Sequence, residues 1–431
     1  MGNINVNVSQ SNTLDEEFSL VKKSKLKKNI SICILGVICV LGISINYINR
    51  TYIYTDKISK NIFIEGINIS NLTKEEAIKH VNESVKPGNI KLNYEGNIQP
   101  ILPEEIDLKY NTSEVVNEAY NYTKTDSYID NLKRVFNLKF KSKNLTLKSL
   151  YNENKLSEQI QNISNSINIP MENAKVYVSS SGNISVSKAV IGKELDIAST
   201  KEAIYDAIKN KDYKTIDLKV NKKEPEISTD AANSVNALLG QFSTKFSTNN
   251  SNRVTNIKVS ANSTSDILLM PGEEFSYNTQ TGKRTRANGY KDAPVIINGK
   301  LGTDVGGGVC QVSSTIFNSA LYSGLEITAR QNHSLKSSYV SIGRDAMVSD
   351  GGSDLKFKNT YSHPVYIKNV VSNGVITSRI YGNVSDKKNI TIKVNPYKSG
   401  RLDAAKTYIQ YKDSNGKVVS TEYVSNSVYK N

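Results

Sequence analysis

The feature that most constrains this chain is an uncharged run at residues 30–48, ISICILGVICVLGISINYI. Wound as an α-helix it covers roughly 28 Å at 1.5 Å per residue, about the hydrocarbon thickness of a bilayer. A helix that is apolar all round has no wet face, so it belongs in a membrane or fully inside a core. Lys22, Lys23, Lys25, Lys27 and Lys28 precede the run and only Arg50 follows closely. Because positive flanks stay cytoplasmic, this asymmetry leaves residues 1–29 as a cytoplasmic tail and everything past Arg50 outside, facing the cell wall. The run closes on Asn46, Tyr47 and Ile48 without a small-x-small cleavage site, so a single-pass anchor at the cell membrane is expected rather than a removable signal peptide.

That topology decides how the charge is read. The chain carries +14, and residues 1–50 hold six basic and three acidic side chains, so most of the excess lies beyond the anchor. Lys and Arg in such numbers suit phosphates, but an outer location excludes nucleic acid as the partner and leaves wall polymers, anionic headgroups or a merely solvated basic surface. At 431 residues the chain is long enough for two or three domains.

Residues 51–62 read as a polar stalk. FIEGINISNLTKEEAIKHVNESV then reads as a strand and a helix, with Asn71 or Thr73 as cap and Glu75 and Glu76 in the first turn, where negative charge suits the helix dipole. EGNIQPILPEEIDLKYNTSEVVNEAY at 95–120 parallels SGNISVSKAVIGKELDIASTKEAIYDAI at 181–208, as if one αβ unit were used twice. In the second copy 175–179 and 184–188 form a predicted hairpin around Ser181-Gly182-Asn183, with a helix from near Ser199. Residues 63–225 thus form an α+β domain with no metal-ligand or triad spacing, in which His80 stands alone and solvent-exposed. A linker at 222–230 leads to a glycine-rich domain at 231–382, and 383–431 read as a small β appendage. The fold class expected for the whole is α+β behind a transmembrane helix.

Of three cysteines, Cys33 and Cys39 fall within the apolar run, which leaves Cys310 alone outside. An odd thiol in an exported chain is either a buried bystander or a reactive group. GTDVGGGVCQVSSTIFNSALYSGLEI sets three glycines before it and a helical pattern after it: Val312, Ile316, Phe317, Ala320, Leu321 and Leu325 on one side, Gly324 near the end. A cysteine at a helix N-terminus is pushed toward thiolate, and the backbone N–H groups of Gly308 to Cys310, on the glycine approach, can receive an oxyanion. The base must be His80, His333 or His363. His363, in YSHPVYI, has no acid or thiol beside it in sequence and reads as structural. His333 follows Cys310 by one helix and a returning strand. Asp345, Asp350 or Asp354 could orient its ring, and Asp345 comes first because a short strand at 338–342 would carry it back.

The blocks RVTNI (253–257), MPGEEFSYN (270–278), GKRTRANGY (282–290), GGGVCQVSST (306–315), NHS (332–334), GRDAMV (343–348) and SDLKFKN (353–359) together resemble a complete VanW domain. Residues 63–225 resemble the peptidoglycan-binding domain that often precedes it in membrane-anchored Gram-positive proteins. The resemblance is to a family named from vancomycin-resistance clusters, in which some clostridial members of this domain order are associated with peptidoglycan L,D-transpeptidation. It implies a transferase of cell wall biogenesis with Cys310 as nucleophile and His333 as base; Asp345 stays first of the three aspartates for the third place, and Gly308, Gln311, Arg253 and Tyr290 are the candidate substrate-binding residues. Peptidoglycan stem peptides are the implied partner, L,D-carboxypeptidase activity the implied side reaction, and neither metal nor cofactor is called for. The order Cys-then-His departs from the ordinary YkuD-fold L,D-transpeptidases, where histidine comes first. The alternative is a non-catalytic wall-binding or scaffold protein in which Cys310 only packs.

Overall fold

In the computed structural model residues 11–297 and 300–430 are described. They are of mixed helix and strand, α+β as expected, and divide into two compact units: residues 1–168 with 194–221, and residues 169–193 with 222–431.

The first unit begins with the helix Ser11–Ile48, which runs on into a π-helical turn at Asn49–Ile53. Side chains from 22 to 47 are all exposed, since nothing in the protein covers a helix that is apolar on every side. It is long and apolar enough to cross a membrane, a test that an N-terminal signal sequence also passes. Beyond it, Ile62–Ile64 pairs in parallel with Lys143–Leu145 over a core that includes Ile62, Ile64, Val81 and Val116. The helix Lys74–Ser84 starts where its cap dictates: Thr73 accepts from the Glu76 N–H at 3.2 Å while Glu76 returns a contact to Thr73 N at 2.9 Å. His80 is exposed on it. A second core gathers under the hairpin Ile90–Tyr94/Asn97–Ile101 and the helices Glu153–Ile167 and Ile197–Asn210. The last of these begins two residues before the expected Ser199, because Asp196 caps it by accepting from Ser199 N at 3.0 Å.

The second unit takes in the hairpin Lys175–Val178/Ile184–Ser187, which sequence reading set within 63–225. Val176 and Val178 are buried with Ala232, Val235, Tyr366 and Tyr381, so the hairpin shares a core with the glycine-rich region. The centre of the unit is an antiparallel sheet in the order Ala237–Lys245, Val375–Gly382, Val365–Ser372, Ile267–Leu269. Against it lies the helix Val309–Tyr322, which is buried on every side rather than on one apolar face. Its polar residues are buried because each has a partner. Ser313 donates to Ala346 O (2.6 Å), Asn318 to Arg344 O (2.7 Å), and Thr315 and Ser319 meet Thr244 and Ser378 (2.8 Å each).

Residues 338–342 form no strand. The backbone that follows is held instead by side chains: Gly343 N donates to Tyr429 Oη (2.6 Å), Gly343 O accepts from Thr407 (2.8 Å), and Ala346 N donates to Ser314 (2.9 Å). The C-terminal sheet, Asn389–Ser399, Leu402–Lys412 and Val418–Tyr429, is packed into this unit through Ile409, with Ile390, Ile392 and Val424 against the same core.

Candidate functional site

The glycine run makes a turn that only glycine fits. A Cβ on Gly307 would lie 2.6 Å from Pro294 O, and Gly308, at φ +110°, would press on Arg253 and Ile257 at 3.1 Å. The helix starts at Val309, so Cys310 stands in its first turn. Of the three expected oxyanion donors, Val309 N is already committed to Gly306 O (3.2 Å); among the described residues the N–H groups of Gly308 and Cys310 have no such partner.

Cys310 is partly exposed, and its thiol donates to Val348 O at 3.5 Å. Burial pushes the thiol pKa up, but the hydrogen bond and charge of His333 and the charge of Arg284 outweigh it, and the net shift is downward. His333 is buried. Its Nδ1 meets Asp345 Oδ2 at 2.7 Å, which leaves Nε2 to face the thiol. Burial lowers the imidazole pKa, yet Asp345 and Cys310 together raise it to about 9. The pair is thereby biased toward thiolate and imidazolium.

Asp345 is 1% exposed, a carboxylate whose burial would neutralise it if it were unpaired. Four donors reach it: His333 N and Nδ1 on Oδ2 (both 2.7 Å), Arg330 Nη2 (3.0 Å) and Tyr429 Oη (2.6 Å) on Oδ1. Against the desolvation that raises it, these donors and the Arg330 charge hold its pKa below the usual carboxylate range. Arg330 is fixed in turn, through Nε on Asp345 O (2.6 Å) and Nη1 on Ser427 (2.7 Å). The other two aspartates go elsewhere. Asp350 binds Arg284 (2.5 Å), and Asp354 accepts from Ser276 (2.7 Å) and Asn278 N (2.9 Å).

Around this line the remaining candidates divide. Arg253 is half-buried beside Gly308 and donates to Gln311 Oε1 at 2.7 Å; it forms no ion pair among the described residues. Gln311 is 1% exposed and donates to Thr244 (3.0 Å) and Lys245 O (2.9 Å), so it holds Arg253 from beneath rather than reaching outward. Tyr290, also 1% exposed, sits in the hydrophobic core, its hydroxyl buried without a hydrogen-bond partner among the described residues. His363, expected without an acid, has one: Asp386 at 3.0 Å from its Nδ1, supplied 23 residues downstream.

Sequence reading missed three residues. Arg330 stands three positions before His333 and its proximity was the available signal. Tyr339 packs edge-on to the His333 ring, 6.5 Å between centroids, and its hydroxyl pKa is raised, first by burial and then by the Cys310 charge. Tyr429 lies 84 residues from Asp345 in the chain and no local pattern announces it.

The family model described as "VanW like protein" matches residues 252–381, and the one described as "Putative peptidoglycan binding domain" matches residues 100–217. The chain is 42% identical over 164 residues to the uncharacterized protein YoaR of Bacillus subtilis, covering 38% of this chain and 54% of that one. It is 37% identical over 113 residues to the vancomycin B-type resistance protein VanW of Enterococcus faecalis, covering 25% of this chain and 41% of that one. It thus spans about half the length of the curated relatives it matches. No solved structure matches. The chain therefore carries a VanW-like domain, which contains Cys310, His333 and Asp345, and a peptidoglycan-binding domain before it.

Proposed function

We propose that this chain is a membrane-anchored peptidoglycan L,D-transpeptidase that makes 3-3 cross-links between stem peptides through a thioester on Cys310. The two matched domains give it a cell-wall-related role, and the lysine-rich flank of the apolar helix favours a cytoplasmic N-terminus with both domains outside. The observation that carries the reaction is the line of thiol, imidazole and fourfold-held carboxylate at the first turn of a buried helix.

In this reading the Cys310 thiolate attacks the carbonyl that joins the third residue of a tetrapeptide stem to its terminal D-alanine. Charge on the carbonyl oxygen is met by the Gly308 and Cys310 N–H groups. As the C–N bond breaks, imidazolium His333 gives its proton to the departing D-alanine amine, and a thioester remains. An amine on the third residue of a neighbouring stem attacks that thioester, loses its proton to His333 and restores the ion pair. Water in place of the amine gives the carboxypeptidase outcome. Asp345 orients the ring and balances its charge, and Arg253, which pairs with no carboxylate among the described residues, is available to the D-alanine carboxylate.

The full-length protein in detergent, incubated with disaccharide-tetrapeptides, should yield dimers joined third residue to third residue and release one D-alanine per link. Cys310→Ala should yield none. If wild type and Cys310→Ala bind stems equally and neither forms dimers nor frees D-alanine, the scaffold reading takes its place.

A further inference from the structure

The helix Tyr128–Leu138 buries one stripe and bares another. Asn131, Val135 and Leu138 face their own unit, while Ile129 and Phe136, with Phe140 just past the end, are 66%, 59% and 77% exposed, and Leu132 lies partly exposed between them. Residues 129, 132, 136 and 140 follow helical spacing, so the exposed side chains make one continuous apolar stripe. Exposed single hydrophobes are ordinary, but a stripe of this kind is not. Lys133, Lys139 and Lys141 border it, all exposed.

The position of this helix supplies its partner. Tyr128 Oη donates to Asn49 Oδ1 at 2.9 Å, Val135 is buried with Tyr52 and Ile53, and Leu132 and Phe136 share a cleft with Ile45 and Ile48. Those last two residues form the final turn of the apolar run. If the run spans the bilayer, Ile45 and Ile48 lie where hydrocarbon meets headgroups, and a helix packed beside them lies at that depth. An apolar stripe with lysines along its border is the pattern of a helix lying in a membrane interface.

We infer that Tyr128–Leu138 is an interfacial helix, docked in the outer leaflet of the same membrane that holds the anchor, with its phenylalanines among the upper acyl carbons and its lysines at anionic headgroups. This rests on the anchor reading given above. It makes the attachment two-point, one helix across the bilayer and one along it.

The chain contains no tryptophan, so single-tryptophan variants report depth without background. Full-length Phe136→Trp and Phe140→Trp, both at exposed positions, would be reconstituted into vesicles of phosphatidylcholine and phosphatidylglycerol whose acyl chains are brominated near the glycerol backbone. Tyr47→Trp reports insertion of the anchor independently. The inference expects all three emissions to be quenched relative to unbrominated vesicles, and Phe136→Trp and Phe140→Trp less so when phosphatidylglycerol is omitted. Quenching of Tyr47→Trp alone overturns the interfacial helix and leaves the anchor standing. An unquenched Tyr47→Trp overturns the anchor, and the inference with it.

Discussion

The second unit holds two imidazole–carboxylate pairs, His333–Asp345 at 2.7 Å and His363–Asp386 at 3.0 Å, in contrasting surroundings. At the first, the carboxylate is 1% exposed, takes four donors and turns the ring toward a thiol. At the second, the imidazole side chain is 35% exposed and the single cysteine beyond the apolar helix is occupied with the other histidine. A histidine beside an aspartate is therefore no mark of a site by itself. What differs is that Asp345 is over-determined, so the ring it holds has one orientation and one remaining partner.

Removing the ring should show the largest contrast. His333→Ala should lower cross-linking by about 10²- to 10⁴-fold, the usual worth of a positioned acid–base group, with Asp345→Asn between that and no effect. In the wild type, activity should need the thiolate–imidazolium pair. It should decline at acid pH as the thiolate takes a proton, and at alkaline pH as His333, held up to about 9, loses one. The alkaline limb should vanish from the His333→Ala profile.

A smaller effect tests the anchoring of the carboxylate. Tyr429→Phe removes one of four donors from a buried charge and should cost about 1.5–3 kcal/mol of stability in chemical denaturation. It should also cut cross-linking roughly tenfold, equivalent to about 1.4 kcal/mol, while Cys310 still alkylates. Unchanged activity would reduce the C-terminal sheet to packing. The smallest effect belongs to the second pair: His363→Ala should leave cross-linking at the wild-type rate and shift stability by about 1 kcal/mol, the worth of one ordinary side-chain hydrogen bond.

The same contrast separates what was readable in the sequence from what was not. The glycine turn, the helix after it, His333 and Asp345 lie within contiguous blocks whose chemistry is local, and the helix pattern needed only the spacing of Val312, Ile316 and Leu321. Asp345 was picked out by way of a strand at 338–342 that does not exist; the segment is carried instead by Thr407 and Tyr429, side chains from another sheet. Tertiary contacts of that range leave no periodicity to read. The burial of the Cys310 helix on all sides was hidden for the same reason, since Ser313, Thr315 and Asn318 look solvent-facing until their partners at 244–346 are known. His363 likewise seemed without an acid only because Asp386 is distant in the chain.

The central claim is that Cys310 carries the stem as a thioester, and it can be weighed. The full-length protein would be mixed with a tetrapeptide stem whose third-residue amine is blocked, so that no acceptor resolves the intermediate, then quenched in acid for intact-mass measurement. The account predicts a mass increase equal to the stem acyl group without its D-alanine, removed by hydroxylamine, mapped to the peptide containing Cys310 and absent from Cys310→Ala. An adduct that persists in Cys310→Ala, or no adduct on a wild-type protein whose Cys310 alkylates readily, would contradict it.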